Sequence, residues 1–146
     1  MGINYVEIAK CVAAASKDPR YKVGAIIFDT HGCIRSTGYN GAPRGVEDSA
    51  TRYTRPAKQH YIAHAEENAI VQAARMGVAT DGCTLLVWGK TPCANCARMI
   101  IQAGIKTVLF QAEDFRGSKY YESFIAAFKM FEEAGIDVQY LKPEEV

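Results

Sequence analysis

The sequence lacks an excess of either charge, a long apolar run and an even set of cysteines, and each absence narrows its function. Lys plus Arg number 17 against 16 Asp plus Glu, a formal net charge of +1. Long polyanions are bound by basic surfaces, so duplex DNA and tRNA are not the expected partners. No uninterrupted run approaches the roughly 18 apolar residues of a membrane span. The longest near the start is Cys11 to Ala15, and Glu7 and Lys10 interrupt that region. With no export signal, the expectation is a soluble, cytoplasmic protein in a reducing compartment and no membrane partner. Five cysteines, an odd number, argue against a disulfide scaffold and for thiols used as ligands or left in the core. No internal repeat or low-complexity segment is evident.

What is present suits a single domain over residues 1–146, since 49% of the chain is apolar and a core of that length can close. Ile3, Val6, Ala9, Cys11, Val12 and Ala15 recur at mixed three- and four-residue steps until the Lys17-Asp18-Pro19 breaker, the pattern of an amphipathic helix. Val23 to Phe28, the turn Asp29-Thr30-His31-Gly32, and Cys33 to Tyr39 read as an antiparallel hairpin. Residues 40–60 show no period, and a loop of about 20 residues inside a compact domain is uncommon and tends to be functional, unless it hides a short helix. A helix from His64 ends at Gly77, where a left-handed cap fits. Then come a strand over Thr84 to Trp88, a helix over Cys93 to Ala103, and a strand over Lys106 to Phe110. A last helix capped by Ser118 runs to Gly135, and Ile136 to Leu141 forms a final strand. Alternating strands and helices after an N-terminal hairpin predict an α/β fold, a sheet flanked by helices with partly antiparallel pairing.

The chemistry concentrates in His64-Ala65-Glu66 at one helix start and Pro92-Cys93-Ala94-Asn95-Cys96 at another. Thiolates and imidazole are the usual ligands of zinc, and a Cys-x-x-Cys pair on a first helical turn sets two sulfurs on one side. His64, Cys93 and Cys96 would leave a fourth tetrahedral position for water, the mark of a catalytic zinc. Two thiolates and a neutral imidazole cancel the +2 charge, so bound water is acidified less than at a three-histidine site and needs a nearby base. Glu66 is placed for that part, and two helix N-termini would favour anions there. Taken alone, Cys93 and Cys96 also fit a thiol redox pair, a structural zinc half-site or two core cysteines. Cys11, Cys33 and Cys83 read as small buried residues. Tyr120, Tyr121, Phe124, Phe128 and Phe131 lie at near-helical spacing, the pattern of a core stripe.

These two motifs together resemble the zinc-dependent cytidine and deoxycytidylate deaminase superfamily, whose nucleobase deaminases share a His-x-Glu and Pro-Cys-x-x-Cys signature. Ser16-Lys17-Asp18-Pro19, Val23-Gly24-Ala25, Gly38-Tyr39-Asn40-Gly41-Ala42-Pro43-Arg44-Gly45, His64 to Ile70 and Ile100 to Lys106 resemble the dCMP deaminases in particular, over about residues 3 to 141. The resemblance implies a three-layer α/β/α cytidine-deaminase-like fold around a central mixed five-stranded sheet. It implies Zn2+ as cofactor and hydrolysis of dCMP to dUMP and ammonia, feeding dTMP synthesis. A zinc-bound hydroxide would be the nucleophile and Glu66 the proton shuttle.

By the same resemblance, Asn40 contacts the sugar 3′-hydroxyl, and the Ala65 amide and the Thr91 carbonyl read the base. Arg20, Lys22 and Arg44 are the candidates for the 5′-phosphate, with Arg52, Arg116 and Lys119 behind them. Lys90-Thr91 depart from the aromatic or aliphatic pair usual before the cysteines, which keeps a modified dCMP such as 5-methyl-dCMP open as the substrate, alongside free cytidine nucleosides. The resemblance further implies a homo-oligomer, often a hexamer, with dCTP and dTTP as effectors. The reading from a different class is a thiol redox protein using Cys93 and Cys96.

Overall fold

The structure, a computed structural model, describes residues 2–142. Its elements run α1 (Tyr5–Ala13), β1 (Gly24–Phe28), β2 (Ile34–Tyr39), a 3-10 turn (Ala50–Tyr53), α2 (Ala57–Tyr61), α3 (Ala65–Met76), β3 (Thr84–Trp88), α4 (Ala94–Gln102), β4 (Thr107–Phe110), α5 (Tyr121–Ala134) and β5 (Asp137–Tyr140). The five strands form one sheet in the order β2-β1-β3-β4-β5. β1 is antiparallel to β2 and β3, whereas β3, β4 and β5 are mutually parallel. Both parallel steps cross over through a helix, as parallel pairing requires.

The alternation of the inner strands feeds two cores. Ala25, Ile27, Leu85, Val87, Val108 and Phe110 point to one face and pack with residues of α3, α4 and α5. Ile26 and Leu86 point to the other and pack with Val6 and Ala9 of α1. The result is the expected three-layer α/β/α arrangement with a mixed sheet. Among the described residues, no helix is long and apolar enough to cross a membrane.

Two helices sit so close to the sheet that glycine is required beneath them. A Cβ on Gly24 would lie 2.1 Å from the Ala9 carbonyl oxygen of α1. One on Gly38 would lie 2.4 Å from both the Ala65 carbonyl oxygen and the Ala69 amide nitrogen of α3.

Three local expectations change. The long loop holds the 3-10 turn and α2. Ser118 does not cap α5: the helix begins after Tyr120, whose amide donates to Ser118 Oγ at 3.1 Å. Cys11 and Cys33 are exposed, and of the three cysteines outside the motif only Cys83 is buried. Cys11 lies on the outer side of α1, away from the Val6 and Ala9 stripe, and Cys33 follows the hairpin turn.

Candidate active site and metal centre

The strand register brings the site together. Gly24, at the start of β1, pairs with Tyr39 at the end of β2 and with Trp88 at the end of β3. The chain therefore leaves β2 and β3 at one edge, beside the entry to β1. The long loop returns to that edge through a bridge in which Gly41 and Ala63 exchange both backbone hydrogen bonds, at 3.1 and 2.9 Å. His64 follows at once as the residue before α3, and Cys93 precedes α4 in the same way. The His64 amide donates to the Glu67 carboxylate at 3.2 Å, which fixes the helix start.

His64 Nδ1 lies 3.3 Å from Cys96 Sγ and 3.7 Å from Cys93 Sγ. The three ligand atoms fall within 4.8 Å of one another. Donors about 2.0 to 2.3 Å from a tetrahedral zinc lie about 3.6 Å apart, so this donor set fits the ion. The electrostatics fit as well. The Cys96 thiol hydrogen-bonds to Cys93 and, against the opposing effect of burial and with help from His64, holds the Cys93 thiol down to about 3. The same bond and burial push Cys96 up. The Cys93 thiol in turn raises the His64 imidazole, against the opposing effect of burial. A divalent cation would take the place of the protons on these groups.

Glu66 is only 4% exposed. Burial pushes its carboxyl above the ordinary range, opposed by the neighbouring His64. A carboxyl raised in this way gives up its proton less readily than an exposed one, which suits a group that both takes and gives a proton.

A cavity of about 370 Å³ connects these groups to the surface, lined by Asn40, His64, Ala65, Glu66, Thr91 and Cys93 among others. Asn40 is already braced. Its Oδ1 accepts from the Val23 amide at 2.9 Å, and its Nδ2 donates to the Tyr21 carbonyl at 2.7 Å. Any contact with a ligand must use the remaining lone pair or the second amide proton. The aromatic stripe divides: Phe124 and Phe131 are buried in the core, but Tyr120 and Phe124 also line the cavity, and Tyr121 is 44% exposed.

The basic residues chosen from sequence lie elsewhere. Arg20, Lys22 and Arg44 are not among the lining residues. Lys22 Nζ donates to the Ser16 carbonyl, and Arg44 donates to Gln72 Oε1 at 2.6 Å across an exposed surface. Arg20 is exposed, and its backbone amide donates to Asp18 at 2.8 Å. Arg116 pairs with Asp114, and Arg52 pairs with Glu47.

The cations that do line the cavity are Arg55, Lys58 and Lys90. Arg55 lies over the Tyr120 ring at 4.6 Å, and Lys90 and Lys58 lie at 5.1 and 5.2 Å from the Tyr21 ring. Lys58 also pairs with the buried Asp18. Arg55 and Lys58 come from the long loop, whose length was the only sequence signal for them.

With this geometry in view, the comparisons with known proteins are consistent. Residues 3–112 match the family described as the cytidine and deoxycytidylate deaminase zinc-binding region. The chain belongs to this deaminase family. Zinc is the metal of the family, and the His64, Cys93 and Cys96 cluster is the group that could hold it. An uncharacterized deaminase in the luxG 3′ region of Aliivibrio fischeri is 42% identical over 139 residues, covering 94% of this chain and 90% of its own. The deoxycytidylate deaminase of Mus musculus is 37% identical over 146 residues, covering 96% of this chain and 79% of its own. The crystal structure of dCMP deaminase from the cyanophage S-TIM5, in complex with dCMP and dUMP, superposes with a TM-score of 0.73 at 29% identity, over 94% and 93% of the two chains.

Proposed function

We propose that this deaminase hydrolyses dCMP to dUMP and ammonia. The observation that carries the reading is the buried Glu66 carboxyl beside the His64, Cys93 and Cys96 cluster, in a cavity also lined by Arg55, Lys58 and Lys90. When bound, zinc would supply a Lewis acid that lowers the pKa of a water. His64, Cys93 and Cys96 would hold it. Glu66 would take a proton from the attacking water and pass it to ring N3, then take the proton of the hydroxyl added at C4 and deliver it to the C4 amino group, so that the C4–N bond breaks, ammonia leaves and a C4=O bond remains. Ala65 and Thr91 supply a backbone donor and acceptor for the base, and Asn40 faces the sugar. All three line the cavity, which supports these roles.

The phosphate assignment moves to Arg55 and Lys90, with Lys58 held by Asp18. Arg55 and Lys90, which share no ion pair among the described residues, match the charge of a monophosphate dianion. The Lys90 ammonium within the cavity, in place of an aromatic or aliphatic side chain, also favours testing C5-modified dCMP as a substrate. The same reading takes residues 1–146 as one catalytic domain, cytoplasmic, whose dUMP product enters dTMP synthesis. It takes the protein as a homo-oligomer, a hexamer with dCTP and dTTP effectors, and the exposed Val71 and Met76 of α3 support a contact between copies.

Turnover of dCMP, deoxycytidine, CMP and C5-substituted dCMP by the wild type and by Arg55→Ala tests the proposal. Loss of a charge-assisted contact should raise KM for dCMP by about tenfold or more and leave deoxycytidine kinetics unchanged. Equal kcat/KM for nucleoside and nucleotide in the wild type would contradict the phosphate site.

A further inference from the structure

The turn that carries Cys93 is gripped from both sides, by Glu113 of the segment between β4 and α5 and by Ser123 of the first turn of α5. Glu113 Oε1 accepts from the Thr91 amide at 2.8 Å and from Thr91 Oγ1 at 2.9 Å. Ser123 Oγ accepts from the Ala94 amide at 3.0 Å. Pro92, between them, has no amide hydrogen of its own. The segment is itself anchored, since Phe115 stacks on Phe124 of α5 with ring centroids 4.0 Å apart.

Thr91 is 2% exposed and lines the cavity, so its amide has a strong need for an acceptor. The acceptor is supplied by a residue 22 positions away that is otherwise exposed and, among the described residues, shares no ion pair. A solvent-exposed carboxylate gains little from folding unless it holds something in place.

We infer that Glu113 is a positioning residue: it fixes the backbone and side-chain torsions of Thr91, and through them the direction of the Thr91 carbonyl into the pyrimidine pocket. The role rests on the deaminase reading above. The Ser123 contact at Ala94 is separate, so Glu113 sets the base pocket and leaves the zinc ligands in place.

The test compares Glu113→Ala and Glu113→Gln with the wild type, each zinc-loaded. Glu113→Ala should raise KM for dCMP about tenfold with kcat little changed and one zinc per chain retained. Glu113→Gln keeps an acceptor oxygen and should stay close to the wild type. In a Thr91→Val background, which removes the hydroxyl but keeps the amide, the effect of Glu113→Ala should shrink. Amide hydrogen exchange, which needs no turnover, should show the Thr91 N–H exchanging faster in Glu113→Ala and the Ala94 N–H unchanged. An unchanged KM and unchanged Thr91 exchange in Glu113→Ala would overturn the inference, as would an equal loss in Glu113→Gln. Absence of dCMP turnover in the wild type would sink the functional reading instead, with the exchange experiment still reporting on Glu113.

Discussion

Asp18 stands in a helix-breaking Lys-Asp-Pro run, yet it is 1% exposed and holds one wall of the cavity. It accepts the amides of Arg20 and Tyr21 at 2.8 and 2.9 Å and pairs with Lys58 from the long loop. Burial acts to raise its carboxyl, and the Lys58 ammonium with the two amides outweighs it, so the group sits below the usual carboxylate range. A depressed value means that Asp18 stabilises the fold fully above the ordinary value of about 4, and that this stability is lost as pH falls through the depressed value. Asp18→Asn keeps an acceptor but removes the charge. It should be about 1–3 kcal/mol less stable than the wild type at pH 7, with the difference closing below about pH 4. Urea unfolding across pH 2.5 to 7 measures it; a gap that persists at the acid end would contradict the account.

Between elements, the packing of α3 on β2 decides where His64 and Glu66 stand. Gly38 is the residue that permits it, because a methyl there would meet α3 backbone rather than a movable side chain. Gly38→Ala should therefore cost about 2 kcal/mol or more, lowering Tm by several degrees, and should weaken zinc binding because His64 and Glu66 ride on the displaced end of α3. Thermal unfolding and a chelator competition report the two effects; Gly45→Ala, at a glycine with φ 83° and no neighbour within 4 Å, should lower Tm without that loss of zinc affinity.

These elements were largely legible in the sequence. Gly77 and Gly104 adopt the positive φ expected after α3 and α4. The hairpin, the parallel crossovers and the metal cluster follow from local residue patterns that name their own partners. The cations of the cavity did not, because Arg55 and Lys58 reach it through the fold of an aperiodic loop, and no spacing rule links them to Lys90. Glu113 was equally hidden, since nothing local ties it to Thr91. Ser118 is a good capping residue, but α5 begins two residues later than a cap there implies, and the Ser118 hydroxyl accepts the amide of Tyr120, the residue before the helix.

Taken together, the sheet edge, the two helix starts and the long loop exist to place one carboxyl next to one metal. Zinc removed by a chelator, or lost in Cys96→Ser, should abolish turnover. The decisive experiment measures dCMP turnover together with zinc content in Glu66→Gln. Glu66→Gln should keep one zinc per chain and the wild-type fold while kcat falls by about 10²-fold or more. A wild-type rate from that variant, or a zinc-free protein with Cys93 and Cys96 joined as a disulfide after purification with zinc present, would contradict it.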